Sequence, residues 1–281
     1  MKQLLLCTDL DRTLLPNGSE PESANARRKF SRLAQHPQVT LVYVTGRHQQ
    51  LVKQAINKYK LPQADYVIAD VGSTIYEIND HDWHYQRQWE RSIDADWQGK
   101  NVNELHSLLA KLNGLQRQEE SKQNTHKLSY YVTPDNDHQK IISAMKNLLQ
   151  LQSIKANLIW SVDQLANIGL LDVLPASAGK RQAIEFLMQQ LKFDYSETVF
   201  AGDSGNDIGV MSSQIQSVLV ANAEEEVRDA AIKQARANHQ QNTLYLAQGN
   251  FMEMNGNYSA GILEGVVHYI PQAENWIRGE K

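Results

Sequence analysis

The sequence predicts an α/β fold, a doubly wound parallel sheet with an inserted α+β module. Short apolar runs at Leu4 to Cys7, Val39 to Val44 and Thr198 to Ala201 each end in polar residues. Strands buried on both faces of a parallel sheet have this composition. Helical patterns flank the second run, Glu22 to Gln35 before it and Arg47 to Tyr59 after it, giving a β-then-α rhythm. The stretch from about Asp80 to Leu171 breaks that rhythm, which marks the insertion.

The first strand, Leu4 to Cys7, leads into Thr8 and Asp9. It is too short for a signal-peptide core or a spanning helix, so a cytoplasmic location is expected, with no membrane partner. Cys7 is the single cysteine and forbids an internal disulfide. It fits a reducing compartment and reads as a core residue. The second strand delivers Thr45-Gly46-Arg47 at its carboxyl end, where ligands of doubly wound sheets bind.

The inserted stretch holds Trp83, Trp89 and Trp97, three of the five tryptophans. Their expected place is the core of the insertion rather than a sugar-stacking face. A polar passage from Leu115 to His126 precedes the alternating segment Lys127 to Val132, in which Tyr130 and Tyr131 should face opposite ways. A helical pattern at His138 to Leu151 and a strand at Leu158 to Val162 complete the insertion. Leu170 to Leu174 returns to a buried-strand composition, so the predicted division is 1–79 with 172–281 for the core and 80–171 for the insertion. Beyond it, Ala223 to Asn238 reads as a helix with Glu224 to Glu226 at the positive end of its dipole. Ile262, Val266, Val267 and Ile270 recur at helical spacing, predicting a last helix that packs one stripe on the core. There is no internal repeat.

With 281 residues the chain is long enough to bury a substantial core. Lys and Arg total 28 against 32 Asp and Glu, a formal charge of −4. That balance argues against a nucleic-acid coat or a polybasic membrane binder, so an anionic ligand must be met by local groups. The hydrophobic share of 41% and charged share of 21% are those of a folded globular chain.

Chemistry-bearing residues cluster at the strand ends. Asp9 and Asp11 follow the first strand, and alternation points both to one side while Leu10 faces away. Such a pair suits a metal site, an acid/base pair, or a nucleophile beside a proton-transfer group; a solvated turn is the plain alternative. Gly202-Asp203-Ser204-Gly205-Asn206-Asp207 follows another strand, and its hard oxygen donors suit Mg2+. Thr45 and Gly46 offer a hydroxyl and free amides beside a helix start, where a phosphate is stabilised. Ser177-Ala178-Gly179-Lys180 adds a compact cation before a helical pattern.

In order and type these four segments resemble the four motifs of the haloacid dehalogenase superfamily. The resemblance implies a Rossmann-like core, and places the insertion where that superfamily carries a C2-type cap. It extends over nearly the whole chain to the sucrose-phosphate phosphatases of cyanobacteria and plants. The matching segments are Leu4 to Asp11, Tyr43 to Arg47, Val71-Gly72-Ser73 with Ile75 and Tyr76, His126 to Val132, Asp172 to Pro175, and Ala260 to Ile262. Two positions depart, Thr74 where that group has Glu and Arg181 where it has Gly.

The resemblance implies hydrolysis of sucrose 6-phosphate through an aspartyl-phosphate. Asp9 would attack phosphorus, and Asp11 would protonate the leaving oxygen and then activate water. Asp9, Asp203, Asp207 and the main-chain carbonyl of Asp11 would hold Mg2+. Thr45, Gly46, Lys180 and Asn206 would bind the phosphoryl oxygens. Arg47, Gly72, Ser73, Gln123, Asn124, Lys127 and Ser129 are the expected sugar contacts. A monomer acting on a phosphorylated disaccharide, with a sucrose-phosphate synthase as partner, is the corresponding expectation. Thr74 removes a carboxylate acceptor for sugar hydroxyls. Another glycosyl phosphate, such as mannosylfructose phosphate or glucosylglycerol phosphate, therefore stays open, as do a phosphomutase and a noncatalytic sugar-phosphate sensor.

Overall fold

A computed structural model describes residues 3–163 and 166–279. Its larger sheet takes strands β1 (Leu4–Thr8), β2 (Val39–Val44), β3 (Tyr66–Ala69), β4 (Thr74–Asn79) and β5 (Asp82–Tyr85) from the first part of the chain. The smaller sheet is built from β6 (Gln116–Arg117), β7 (Leu128–Val132), β8 (Ala156–Asp163) and β9 (Ile168–Pro175). Strands β10 (Thr198–Gly202), β11 (Gln216–Leu219) and β12 (Leu244–Leu246) then return to the larger one. Its order is β12-β11-β10-β1-β2-β3-β4-β5, parallel from β12 to β3, with β4 and β5 added antiparallel.

Why β1 lies at the centre is visible in its side chains. Leu4 and Leu6 enter the hydrophobic cluster on one face of the sheet, Leu5 and Cys7 the cluster on the other, and all four are fully buried. Each buried leucine contributes about 1.5–3 kcal/mol. Helices α1 (Ala26–Ala34) and α2 (Gln49–Tyr59) cover the first face, and α3 (Arg87–Asp94) lies against the second. The chain winds outward from β1 to β3 on one side and from β10 to β12 on the other. The strand order therefore reverses between β1 and β10, and the crevice beyond their carboxyl ends is the ligand position of such sheets.

The smaller sheet, ordered β6-β7-β9-β8, is antiparallel and backed by α4 (Val102–Leu109) and α5 (His138–Leu151). Trp97, Tyr130, Met145 and Leu171 are fully buried in its own cluster. Asn101 and Asp137 accept the first amides of α4 and α5, so both helices start where their caps sit. Tyr130 is buried while the Tyr131 hydroxyl reaches Glu119, matching the expected alternation.

Two expectations shift. The boundary at 80 falls in the turn between β4 and β5, a hairpin that extends the larger sheet. The boundary at 172 falls inside β9, which pairs along its length with β8 and β7 rather than returning to the core. Its apolar run resembles a parallel strand because it is an inner strand of the smaller sheet. Of Trp83, Trp89 and Trp97, only Trp97 lies in the cap core. Trp89 packs against Phe186 beside the main sheet, and Trp83 lies on the added strand β5 beside Tyr76.

Helix α6 (Lys180–Leu191) follows the cap, and the short α7 (Ile208–Met211) follows β10. Next come α8 (Glu225–Ala237), α9 (Ser259–Tyr269) and α10 (Ala273–Arg278). Residues 259–266 are all buried, so α9 is enclosed on every side over its first two turns instead of showing one apolar stripe. No helix among the described residues is long and apolar enough to cross a membrane.

The smaller sheet leans over the carboxyl edge of the larger one. Ser177 donates its amide and hydroxyl to Asp96 Oδ2, each at 2.6 Å, and Asn157 Nδ2 donates to the Ala178 carbonyl at 3.2 Å. A Cβ built on Gly205 would stand 3.1 Å from the Trp160 carbonyl oxygen, so β8 rests directly on the loop after β10.

Candidate active site

Asp9 sits at the carboxyl end of β1, where its amide donates to the Ala201 carbonyl of β10 at 2.9 Å. One carboxylate oxygen accepts the Leu10 amide at 2.7 Å, and the other accepts Lys180 Nζ at 2.9 Å. The same ammonium donates to Asp207 Oδ1 at 2.7 Å. Asp207 is tied back into its loop, since Oδ2 accepts the amides of Asp203 at 3.1 Å and Ser204 at 3.0 Å. Asp203 Oδ1 accepts the Thr13 hydroxyl at 2.8 Å, and its Oδ2 lies 3.6 Å from Arg12 Nε.

Oxygens of Asp9, Asp203 and Asp207 come within 4.8 Å of one another, and all three residues are buried. Burial pushes Asp9 up to about 7 despite the opposing pull of Lys180, with Asp207 and Asp11 adding to the rise. Asp203 is raised well above the carboxylate range, by burial and then by Asp9 and Asp207. For Lys180 burial works against the charge, but Asp207 and Asp9 outweigh it and hold the ammonium above its ordinary range. Three buried carboxylates with one lysine between two of them leave an excess of negative charge. A small hard dication such as Mg2+ fits that donor set and that charge.

Asp11 leaves this group. Arg47 grips it with Nε to Oδ2 at 2.7 Å and Nη2 to Oδ1 at 2.6 Å, and Asn17 Nδ2 donates to Oδ1 at 2.7 Å. Burial favours the neutral acid, yet Arg47 and then Asn17 win, and the carboxyl is held below its usual range. The side chain of Asp11 is therefore no member of the carboxylate trio, and Arg47 is occupied by Asp11 rather than reaching into a sugar pocket.

Thr45 is fully buried at the end of β2, with its hydroxyl accepting the Arg47 amide at 3.2 Å. Beside it runs the loop Asp70-Val71-Gly72, with three successive positive φ angles of 53°, 60° and 97°. A Cβ at Gly72 would stand 2.2 Å from the Gly179 carbonyl carbon and 2.5 Å from the Lys180 nitrogen. Only glycine fits there, so Gly72 packs on the helix start that carries Lys180, and its carbonyl accepts Trp89 Nε1 at 3.1 Å. It is a packing residue rather than a sugar contact. Asn206 accepts the Ser204 hydroxyl at 3.1 Å within the loop after β10.

The remaining expected sugar contacts divide. Gln123 donates to the Gln118 carbonyl at 2.9 Å and accepts the Ser129 amide at 2.8 Å, while the Ser129 hydroxyl donates to Asp172 at 2.5 Å. Both are consumed inside the cap and Ser129 is fully buried. Lys127 Nζ lies 3.9 Å from Asp70 Oδ1 with both side chains buried. Asn124 bridges cap to core, donating to Ser73 Oγ at 3.1 Å and Thr74 Oγ1 at 3.3 Å. Ser73, Thr74 and Asn124 line a cavity of about 290 Å3 whose other walls include Asp70, Tyr85 and Glu90. Asp70, Tyr85 and Glu90 carry no motif that would mark them in sequence; Arg12 and Thr13, which reach Asp203, lie inside the Asp-x-Asp-x-Thr segment.

The sequence profile of a family described as Sucrose-6F-phosphate phosphohydrolase matches residues 2–270. The chain belongs to that family, within the haloacid dehalogenase superfamily. It is thus a phosphoric monoester hydrolase with an aspartate-built site and a divalent-cation donor set. A putative HAD-like hydrolase of Nitrosococcus oceani is 52% identical over 278 residues, covering 99% of this chain and 75% of its own. The mannosylfructose-phosphate phosphatase of Agrobacterium fabrum is 27% identical, with 96% of this chain and 98% of its own covered. Sucrose-phosphatase 1 of Nicotiana tabacum is 31% identical over 80% of this chain, which spans about half of it (52%). Among solved structures, the sucrose-phosphatase of Synechocystis sp. PCC6803, in complex with sucrose and phosphate, aligns with a TM-score of 0.77 at 26% identity. That alignment covers 96% of this chain and 99% of the other.

Proposed function

We propose that this chain is a Mg2+-dependent phosphatase that releases phosphate from sucrose 6-phosphate through an aspartyl-phosphate. The observation that carries the reading is the divided labour of the first motif. Asp9 is held by Lys180 within the carboxylate trio, while Asp11 is held apart by Arg47. In this reading one carboxylate serves attack and the other proton transfer.

In this reading Asp9 Oδ forms a bond to phosphorus as the bond from phosphorus to the sugar oxygen breaks. Asp11 gives that oxygen its proton, which requires it to leave Arg47. Water then attacks the aspartyl-phosphate, Asp11 takes its proton, and Asp9 is freed. Lys180, Thr45 and the amide of Gly46 bind the phosphoryl oxygens, offsetting charge that would otherwise repel an anionic nucleophile. Asn206 steadies the loop of Asp203 and Asp207. Asp9, Asp203, Asp207 and the Asp11 carbonyl would hold Mg2+, which when bound neutralises phosphate charge. The catalytic core would comprise the larger sheet with its helices, and the smaller sheet would be the specificity cap.

A neighbouring substrate has its own support. Thr74 lines the polar cavity with a hydroxyl, where the resembled group has a carboxylate, and a full-length relative is named for mannosylfructose phosphate. A cytoplasmic setting, with which the free, buried Cys7 agrees, and a synthase supplying the substrate belong to the same reading. A panel of disaccharide and monosaccharide phosphates tests the substrate by phosphate release. Preference for sucrose 6-phosphate is expected; preference for mannosylfructose phosphate or glucosylglycerol phosphate replaces the substrate and keeps the chemistry. Sugar bisphosphate formation in place of phosphate release would indicate a mutase instead.

A further inference from the structure

Arg12 sits in the first motif at a φ of 55°, in the left-handed region that a residue with a Cβ occupies only where its surroundings hold it. Side-chain amides hold it from both sides. Asn17 Oδ1 accepts the Arg12 N–H at 2.8 Å, and Asn222 Nδ2 donates to the Arg12 carbonyl at 2.6 Å. The peptide unit shared by Asp11 and Arg12 is trans, so its carbonyl points opposite to that N–H. Fixing the two peptide units around Arg12 therefore fixes the direction of the Asp11 carbonyl.

The same asparagine reaches the other end of the arginine. Arg12 Nη2 donates to the Asn222 main-chain carbonyl at 3.3 Å and to Glu224 Oε1 at 2.8 Å. That leaves Arg12 Nε buried, without a hydrogen bond, 3.6 Å from Asp203 Oδ2. Asn222 is itself buried beyond the end of β11, and its Oδ1 accepts the Tyr258 amide at 2.8 Å. Tyr258, fully buried at a φ of 51°, leads straight into α9. One side chain thus joins the first motif to a C-terminal helix, through its donor on one side and its acceptor on the other.

We propose that Asn222 is a positioning residue for the divalent cation: its hold on Arg12 sets the Asp11 carbonyl and the Asp203 carboxylate where they serve as Mg2+ ligands. This rests on the Mg2+-dependent reading above and adds to it a residue outside the four motifs. None of its described hydrogen bonds goes to Asp9, Asp11, Asp203 or Asp207, so it acts through Arg12.

The test is titration of the full chain with Mg2+ by calorimetry. Metal-free melting, and kcat and KM on the best substrate of the sugar-phosphate panel, are measured on the same proteins. Asn222→Asp keeps the acceptor for Tyr258 and removes the donor to Arg12, whereas Asn222→Ala removes both. Each should bind Mg2+ at least about ten-fold more weakly, the loss that follows when a ligand's outer partner is removed. At saturating Mg2+, kcat should fall while KM stays near its wild-type value. Asn255 also joins the C-terminal segment to the first loop, with Nδ2 on the Pro21 carbonyl and Oδ1 accepting the Ser23 hydroxyl, and has no described hydrogen bond to Arg12. Asn255→Ala should lower the metal-free Tm and leave Mg2+ affinity unchanged. Wild-type Mg2+ affinity in Asn222→Asp, or equal weakening in Asn255→Ala, would overturn the proposal. Metal affinity is read without turnover, so a wild type that binds Mg2+ but releases phosphate from no sugar phosphate would contradict the functional reading alone.

Discussion

Arg47 holds Asp11 by a two-point hydrogen-bonded ion pair, Nε to Oδ2 at 2.7 Å and Nη2 to Oδ1 at 2.6 Å. Two residues earlier in the chain, Asp9 is raised toward neutrality by burial, while Asp11 is lowered because Arg47 overrides burial. Removing Arg47 leaves burial the leading influence on Asp11. Arg47→Ala should therefore move the limb of the pH–rate profile that reports Asp11 to higher pH, with Arg47→Lys moving it less because one point of the pair survives. A slower enzyme with an unmoved limb would show that Arg47 serves the fold and not the proton.

Lys180 is the cation between Asp9 and Asp207. Lys180→Met leaves these buried carboxylates uncompensated, at a cost of about 3–5 kcal/mol. Urea unfolding should show that loss in metal-free buffer and a partial recovery with Mg2+. Full stability in the absence of metal would mean that the ammonium is not needed to hold the trio.

Metal binding should depend on pH with a definite sign. Burial pushes Asp9 up from the ordinary carboxylate value of 3.8 to about 7 in the metal-free fold. Between these values the folded state keeps a proton that the unfolded state has lost, so metal-free stability falls as pH rises through that window. Mg2+ must displace the same proton. The increase in Tm on adding Mg2+ should accordingly be larger at about pH 8 than at about pH 5.5. A constant increase across that range would place the ion elsewhere.

Gly72 is required where the loop after β3 meets the start of α6. Gly72→Ala puts a methyl group 2.2 Å from the Gly179 carbonyl carbon at a φ of 97°. Overpacking and positive-φ strain together should cost at least about 2 kcal/mol. Unfolding curves check this, and activity should fall more than stability alone predicts because the displaced backbone is that of Lys180. A neutral substitution would refute the close approach.

Much of the site was legible because its residues follow strands directly. Asp9, Lys180, Asp203 and Asp207 were each marked by an apolar run or a helix start, and the parallel sheet converges them. The direction of Asp11 was not legible, since alternation placed it beside Asp9 and its real partner lies 36 residues away. Gln123 and Ser129 turn inward for a related reason. A polar residue on a strand can face a ligand or its neighbour, and the register pairing Ser129 with Asp172 sends the Ser129 hydroxyl to that neighbour. Strand β9 misled through composition, because an inner strand of an antiparallel sheet is as apolar as a parallel one. The β4–β5 hairpin went unread as an extension of the larger sheet, although Ile75 and Tyr76 of β4 lie in a segment matched to the resembled family.

The most direct test of the account is inorganic phosphate release from sucrose 6-phosphate with Mg2+, comparing wild type with Asp9→Asn. Turnover by the wild type, abolished in the variant while its fold and Mg2+-free melting remain measurable, is the predicted result. Wild-type rates retained by Asp9→Asn would contradict the central claim that Asp9 is the nucleophile.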